Sequence, residues 1–353
     1  MVQASLTARL MEDPILDVRT AGTARIWIEE RLARLDPERV VTTVPSVEEA
    51  IAELIEMQGD AVLLLANELP AELPEGITVV SAMERAGEGA VMISDDFLDY
   101  LPHRSVILCE DALIKRQIRR YRPDLSIRTA ADFAAREGLE GPGEEEGDVI
   151  NWCLKRKDEA AAHAVACDRV TFEMAGGSRR RQRLDLPVGK HKDGHFPPAP
   201  FSGQVLFVCR EGFPESYLPD WCDELALEAW KLETILLGGV DQALAEHTSV
   251  HAQWVRTGSL LKHSEDPALK DEYVTPEGDL RRKRRGGKGG LRIRMSIEWI
   301  GKGGRRSLAV SRIGPADDAR FLARRLVVEW NEAQDVWMNA KDDDDESVGP
   351  VIF

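Results

Sequence analysis

Short apolar runs alternate with amphipathic stretches from residue 15 to about residue 140. The apolar runs predict buried strands at ILDVRT, VVTTV, AVLLLAN, ITVVSAM, GAVMIS, SVILCE and LSIRT. Between them, residues 23–35 place apolar side chains at i, i+4 and i+7 on one helical face, and Ser46 with Glu49 forms a capping box for the next helix. Continuous apolar strands separated by helices are typical of a parallel sheet covered on both faces. The pattern therefore predicts a doubly wound α/β fold.

The second half of the chain has a less regular pattern. The predicted order is a helix over residues 154–170, a long loop over 176–203, a strand over 204–210, a helix over 220–237, an exposed basic excursion over 257–290, a hairpin with strands at 291–300 and 307–313, and a last helix that begins at Pro315. Leu322, Leu326 and Trp330 lie along one face of this last helix. The chain then continues into an acidic tail.

Composition and charge limit the class of protein. The 353 residues carry a formal net charge of −16, which argues against general nucleic-acid binding. The first residues lack the basic-then-apolar pattern of a secretion signal, and no apolar run approaches the length that crosses a bilayer. We therefore expect a cytoplasmic protein with no nucleic-acid partner and no membrane partner.

The cysteines and histidines are candidates for reactive thiols and for a metal site, but their spacing and surroundings in the sequence favour neither. None of the five cysteines forms a Cys-x-x-Cys pair, so reduced, buried thiols are the expected state. His191 with His195, and His247 with His251, have the four-residue spacing that places two imidazoles on one face of a helix. The first pair lies in a predicted loop that contains glycine. Surface or packing histidines are therefore the favoured interpretation, and no metal is expected.

Two basic runs stand out on this acidic chain, at residues 178–183 and 281–290. Runs of this kind are usually solvated loops. They could also supply cations to a carboxylate-rich ligand or to nucleic acid. The sequence leaves their role open.

The connection Glu68–Gly76 (ELPAELPEG) is long and follows a predicted strand directly. In doubly wound sheets, ligands bind beyond the carboxyl ends of the strands. Glu68 and Glu72 each precede a Leu-Pro pair in this connection. Glu68 is therefore a candidate functional acid, and a solvated loop acid beside Pro70 is the alternative.

Five segments follow one another in a specific order: NELPAELPEGITVVSAMER, ISDDFLDYLPHRSVI, RRYRPDLSIRT, PAPFSGQVLFVCR and GPADDARFLARRL. Together they resemble the hydroxymethylbilane synthase (porphobilinogen deaminase) family. That family has a strand ending in H-S-M-K-D-[VL]-P, a helix ending in R-P-D-L, and the motif P-A-x-G-Q-G-x-[LV]-x-[IV]-x-C-R. The resemblance covers most of residues 15–335 and is weak between 138 and 195.

This resemblance implies an α/β fold with two doubly wound domains resembling type II periplasmic binding proteins, plus a small α+β C-terminal domain. The implied ranges are 14–93 with 204–218 for domain 1, 94–203 for domain 2, 219–338 for domain 3 and 339–353 for the acidic tail. In the family, domain 3 bears a covalent primer.

The family's enzymes join four porphobilinogens into a linear tetrapyrrole and release ammonia at each step. A cysteine holds a dipyrromethane primer as a thioether, an aspartate hydrogen-bonds the pyrrole nitrogens, and arginines bind the carboxylates. By resemblance, the catalytic aspartate falls on Glu68 and the primer cysteine falls on Thr248. Substrate-binding positions fall on Asn67 and Thr23, and one family arginine falls beside Arg136.

Several of the family's chemical groups are missing from this chain. The S-S-L-R-R motif falls on residues 110–114, so Glu110 and Asp111 replace two hydroxyls and both arginines are lost. Two further arginine positions of the family match Ala21 and Ala131, so these cations are also missing from this chain. Each lost charged hydrogen bond costs roughly 1.5–3 kcal/mol of binding. Because a threonine cannot form the thioether, we do not expect dipyrromethane to be covalently bound at Thr248.

Two functional hypotheses follow. The first is a hydroxymethylbilane synthase, a transferase of tetrapyrrole (heme) biosynthesis, with Glu68 in the role of the catalytic acid. The alternative is a catalytically inactive relative whose interdomain cleft binds porphobilinogen, another tetrapyrrole precursor or a partner protein. A monomer is expected in either case.

Overall fold

The computed structural model of the chain describes residues 16–143, 146–184, 196–256 and 290–339. Met1–Glu228 form one compact unit and Ala229–Phe353 form another. His191, His195, the basic run up to residue 289 and residues 340–353 of the acidic tail lie outside the described residues. In the described ranges, no helix combines the length and the apolar character needed to cross a membrane.

The first sheet and its helices form what we call lobe 1. Its elements are β1 (Val18–Ala21), α1 (Arg25–Leu35), β2 (Val41–Val44), α2 (Val47–Ile55), β3 (Ala61–Leu65), β4 (Ile77–Ala82) and β10 (Val205–Arg210). The strand order is β2-β1-β3-β10-β4. β1 pairs in parallel with β2 and β3, whereas β10 runs antiparallel between β3 and β4. The side chain of Ser46 accepts a hydrogen bond from the N–H of Glu49 and caps α2, as predicted.

The second sheet and its helices form lobe 2. Its elements are β5 (Ala90–Ser94), β6 (Val106–Leu108), α3 (Ala112–Tyr121), β7 (Ser126–Arg128), α4 (Ala130–Glu137), α5 (Glu146–Asp158), β8 (Ala164–Asp168), α6 (Arg169–Met174) and β9 (Arg181–Arg183). The order is β7-β6-β8-β5-β9, with β5 antiparallel to both of its neighbours. The predicted α/β class is therefore confirmed, with the correction that both sheets are mixed rather than parallel.

Lobe 2 is an insertion between β4 and β10 of lobe 1. The division predicted between residues 93 and 94 falls inside β5, and all of β5 pairs within lobe 2. The compact unit that contains both lobes extends to Glu228, nine residues past the predicted start of the third domain at 219.

The helix predicted over residues 154–170 is wrong. The structure has α5 up to Asp158, then β8, then the short helix α6. The alanines at positions 160–162, 164 and 166 favour a helix by propensity. Four of the five β8 residues are buried, and β8 pairs with β5 on one side and β6 on the other, so tertiary pairing outweighs propensity. The loop predicted over 176–203 likewise contains the strand β9.

The C-terminal unit contains an antiparallel sheet with the order β11-β12-β13. Its elements are α7 (Glu224–Leu237), which begins just before the unit boundary, α8 (Gln242–Ala245), β11 (Thr248–Arg256), β12 (Leu291–Ile300), β13 (Ser307–Pro315) and α9 (Ala319–Asn339). The predicted hairpin is confirmed as β12 and β13. Helix α7 begins at Glu224 rather than at residue 220, and β11 was not predicted. His251 lies within β11, so the helical spacing proposed for His247 and His251 does not apply.

A buried ion pair fixes the end of β10 in lobe 1. Arg210 is 5% exposed, and its Nη1 donates to the carbonyl oxygens of Leu54 (2.7 Å) and Gly59 (2.8 Å). Its Nη2 lies 3.5 Å from Oδ1 of Asp60, which is 1% exposed. The other oxygen of Asp60 accepts a hydrogen bond from the N–H of Asp17 (3.0 Å). One guanidinium group therefore connects the late strand β10 to the segment between α2 and β3.

We expect Arg210→Met to lower the free energy of unfolding by roughly 3–5 kcal/mol, because it leaves the carboxylate of Asp60 buried without its cation. Urea denaturation followed by circular dichroism measures this change. The control is Arg34→Met, since Arg34 forms an exposed pair with Glu30 at 4.0 Å and should cost less than about 0.5 kcal/mol. Equal losses in the two variants would contradict a stabilising role for the Arg210 contacts.

Candidate functional site

The long connection after β3 folds back over the start of α1. Residues Ala66–Glu68 form one 3-10 turn directly after β3, and the β1–α1 turn contains Gly22 and Thr23. Because β1 and β3 are parallel neighbours, their carboxyl ends lie at the same edge of lobe 1. The connection therefore delivers Glu68 to the edge at which doubly wound folds bind ligands.

The carboxylate of Glu68 is held by the turn that leads into α1. Its Oε1 accepts a hydrogen bond from the N–H of Thr23 (2.9 Å) and a second one from the Thr23 hydroxyl. Gly22 has φ +86°, and a Cβ added there would collide with Oε2 of Glu68. Oε2 itself is buried and has no hydrogen-bond partner among the described residues. The turn is thus an anion site that the chain's own carboxylate fills.

The structure brings together some of the residues selected from the sequence. Thr23 and Glu68 are in direct contact, and Asn67 is exposed beside Glu68 in the 3-10 turn. Arg136 is exposed in the last turn of α4 in lobe 2. Thr248, at the start of β11 in the C-terminal unit, is 1% exposed, and its hydroxyl donates to the carbonyl oxygen of Leu244 (2.7 Å). The substrate-binding and primer roles taken from the resemblance remain predictions.

We expect Gly22→Ala to lower the free energy of unfolding by more than about 1 kcal/mol, through left-handed strain and collision with Glu68. In the Glu68→Ala background the collision is absent, so Gly22→Ala should lower the free energy of unfolding by a smaller amount. Gly76 is the control because it has φ +82° and no atom within 4 Å of an added Cβ. The cost of Gly76→Ala should not depend on Glu68. A double-mutant cycle from urea titrations measures the coupling, and zero coupling between Gly22 and Glu68 would contradict the contact.

Lobe 2 contains a cavity of about 310 Å³ at the carboxyl ends of β6 and β8. Pockets that hold small molecules start at about this size. It is lined by Leu108, Cys109, Glu110, Asp111, Val149, Ile150, Cys153, Val165, Ala166, Cys167, Asp168 and Thr171. We call it the lobe 2 pocket. Apolar groups and thiols line most of it, and its polar groups are carboxylates and one hydroxyl.

The pocket's carboxylates cap the helices that begin around it. Asp111 is the N-cap of α3 and accepts a hydrogen bond from the N–H of Ile114 (2.8 Å). Glu110 accepts one from the N–H of Ala130, the first residue of α4. The unpaired N–H groups at a helix start are the usual donors to bound anions. In the lobe 2 pocket, the chain's own acids use these donors.

A third carboxylate adds to the negative character of the pocket. Asp168 caps α6, with Oδ1 accepting from the N–H of Thr171 (3.0 Å) and Oδ2 accepting from its hydroxyl. Burial raises the pKa of Asp111, the N–H of Ile114 opposes this shift, and the negative charge of Asp168 adds to it. The pocket therefore disfavours a further negative charge.

The thiols of this chain are not activated. Cys109, Cys153, Cys167 and Cys209 are buried, and Cys222 is half-buried. Burial raises the pKa of all five thiols, to about 12 for Cys153 and well above the usual value for Cys109 and Cys167. A neutral thiol is a poor nucleophile. Within the described ranges, no group of three or more His, Cys, Asp or Glu side chains could hold a metal ion.

We expect the native protein to react slowly with a thiol reagent at pH 7.5, because its thiols are buried and protonated. Reaction with Ellman's reagent followed over time should show Cys222 reacting first, since it alone is half-buried. All five thiols should react quickly in guanidinium chloride. One cysteine that reacts in the native protein as fast as free cysteine would contradict the raised pKa values.

A hydrogen-bonded contact joins the two lobes away from the sheets. Nε1 of Trp27 on α1 donates to Oε2 of Glu173 on α6 (2.9 Å), and Nε of Arg169 donates to Oε1 of the same carboxylate (2.8 Å). Burial opposes ionisation of Glu173, but these two donors lower its pKa overall. No sequence motif connects Trp27 with Glu173, which lie 146 positions apart. Sequence reasoning therefore missed this contact.

No protein-family model and no curated protein matches the sequence. Among solved structures, the chain is similar to an ancestral cationic amino acid solute binding protein, with 14% identity, a TM-score of 0.35 and coverage of 63% of this chain and 92% of that one. It is also similar to the second substrate binding domain of a putative amino acid ABC transporter from Streptococcus pneumoniae, with 11% identity, a TM-score of 0.35 and coverage of 57% of this chain and 87% of that one. A third similar structure is the BvgS periplasmic VFT2 domain of Bordetella pertussis, with 15% identity, a TM-score of 0.30 and coverage of 61% of this chain and 88% of that one. These are domains of the type II periplasmic-binding-protein kind. Because these TM-scores are low, the fold class rests on the strand orders described above.

Proposed function

We propose that this protein is a non-catalytic relative of hydroxymethylbilane synthase that uses its two-lobed scaffold to bind a small molecule. The proposal combines the ordered sequence resemblance with the local chemistry of the site. The ligand would contact the lobe 2 pocket and the facing edge of lobe 1 around Glu68.

The observation that carries the proposal is the lack of a thiolate to hold the primer. The primer position is Thr248, whose hydroxyl is buried and already donates to a backbone carbonyl. All five cysteines have raised pKa values, so none is an evident substitute nucleophile. Without a covalent primer, stepwise extension of a bound pyrrole chain has no anchor.

The charges in lobe 2 support the same proposal. A growing tetrapyrrole carries many carboxylates and requires cations or free N–H donors. Here Glu110 and Asp111 stand where the family has hydroxyls, and they use the N–H groups of Ala130 and Ile114 themselves. A polycarboxylate would meet like charges at this wall. The ligand should therefore turn a neutral or positively charged group towards the pocket, and porphobilinogen, which carries one amine, is the first compound to test.

A second candidate function is the family reaction itself, and one observation favours it. Glu68 retains a carboxylate at the position of the family's catalytic aspartate, and its Oε2 accepts no hydrogen bond from any described residue. Because Oε2 is buried against Gly22, the Glu68 side chain would have to leave the Thr23 turn before this oxygen could receive a pyrrole N–H. The reaction would then need a primer that is bound without a thioether.

We expect purified protein to have the mass of its bare chain and to form no uroporphyrin when porphobilinogen is added and the product is oxidised. Intact-mass spectrometry and absorbance after Ehrlich's reagent provide the two readouts. Titration calorimetry on the same sample measures binding of porphobilinogen independently of turnover.

Turnover that Glu68→Gln abolishes, with or without a mass excess equal to a dipyrromethane, would overturn the proposal in favour of the enzyme. The matched control is Glu72→Gln, because Glu72 is an exposed acid in the same connection. Loss of turnover in both variants would indicate a loop effect rather than a catalytic role for Glu68.

A further inference from the structure

Three large apolar side chains are exposed on the outer face of α9, among polar and charged ones. One face of α9 packs on the sheet through buried side chains such as Ala323, Leu326 and Trp330. On the other side, Phe321, Val328 and Val336 are 65%, 55% and 57% exposed. A surface helix normally presents polar residues to water. A row of large exposed apolar side chains therefore indicates an interaction surface.

These side chains form one continuous stripe with two charges between them. At 3.6 residues per turn, positions 321, 325, 328, 332 and 336 fall within roughly 80° of helix circumference. In order, the stripe reads Phe321, Arg325, Val328, Glu332 and Val336, and all five are exposed. We call this the outer stripe. Its sequence alternates apolar, basic, apolar, acidic and apolar groups.

The outer stripe is complementary to itself when reversed. Rotation by two-fold symmetry about a point between residues 328 and 329 places Phe321 opposite Val336 and Arg325 opposite Glu332. Val328 lies half a residue from the axis, so its own copy is next to it and Glu329 of the second copy lies opposite it. A two-fold interface uses the same patch on both subunits, so self-complementarity of this kind is what it requires. The two opposite charges also leave the stripe without net charge, although each chain carries −16.

A groove beside the stripe offers a place for the aromatic side chain. The groove has a volume of about 590 Å³ and runs between α9 and the strand β13. Its apolar walls are Ala309, Val310, Ile313, Ala333 and Val336, and its polar walls are Ser311, Arg312, Glu329 and Glu332. Since Val336 borders the groove and faces Phe321 of the second copy in the two-fold arrangement, that ring would reach the groove. An aromatic side chain seated in a recess of the partner surface is a common anchor of protein interfaces, and here the ring would pack on the apolar wall of the groove.

We propose that two copies of this chain associate through antiparallel packing of their α9 helices, with a two-fold axis beside Val328. The occupant of the outer stripe is a second copy because the charge pattern pairs with its own reverse. This interface does not involve the proposed ligand site, and the test of one does not depend on the test of the other. It differs from the monomer expected from the sequence.

The first test is the mass of the full-length chain in solution. Light scattering after size exclusion should give twice the 39.3 kDa of one chain at high micromolar concentration. Val328→Asp places two carboxylates together beside the axis and should weaken the dimer by about tenfold or more. Val40→Asp is the control, because Val40 is an 80% exposed valine outside the stripe and should leave the dimer intact. A monomeric native protein, or a Val328→Asp variant that remains as dimeric as the control, would overturn the proposal.

Charge reversal tests the orientation of the helices. Arg325→Glu and Glu332→Arg should each weaken the dimer, because like charges then face each other across the interface. The double variant should restore association. Arg325 also pairs with Glu329 in its own helix at 3.3 Å, and this pair remains broken in the double variant, so recovery would report the contact between copies. Circular dichroism checks that α9 stays folded, and failure of a folded double variant to recover would overturn the antiparallel arrangement.

Discussion

The structure of the two lobes depends on the insertion of β10 between β3 and β4. This strand completes the sheet of lobe 1, and the whole of lobe 2 lies between β4 and β10 in the sequence. Arg210 fixes its end through two backbone carbonyls and the carboxylate of Asp60. Its beginning is joined to the start of lobe 2, since the N–H of Ala86 donates to the carbonyl oxygen of Gly203, and the N–H of Gly89 to the hydroxyl of Ser202. Both walls of the candidate site are therefore positioned by contacts between segments that are far apart in sequence.

The carboxylates at the edge of lobe 1 and in the lobe 2 pocket limit the charge of a ligand that these two places can bind. Doubly wound lobes present helix starts and strand-end turns as natural anion sites. In this chain Glu68 fills the turn before α1, Asp111 caps α3, and Glu110 contacts the first residue of α4. An internal carboxylate is tethered, so it competes effectively with an anion from solution. These tethered carboxylates therefore weaken binding of a polycarboxylate ligand at the same donors.

Loss of the parent chemistry would also change which surfaces matter. An enzyme that works alone needs only its cleft, whereas a binding protein commonly acts through partners or copies of itself. In the C-terminal unit, the Thr248 hydroxyl donates to the carbonyl oxygen of Leu244 in the turn before β11. The same unit presents the outer stripe of α9 to solvent. The ligand binding proposed for the two lobes and the self-association proposed for α9 use different surfaces of the chain.

The sequence by itself determined the elements whose signals are local. The periodicity of the first strands, the Ser46 cap of α2, the alternating hairpin of β12 and β13, and the apolar face of α9 all reflect neighbours within a few residues. Only the tertiary structure decided the rest. β8 is a strand because two other strands bury it, although alanines favour a helix there. Glu68 meets Thr23 across 45 positions, and Trp27 meets Glu173 across 146. Pairing, burial and charge contacts between distant segments are set by the assembled fold, and no local pattern encodes them.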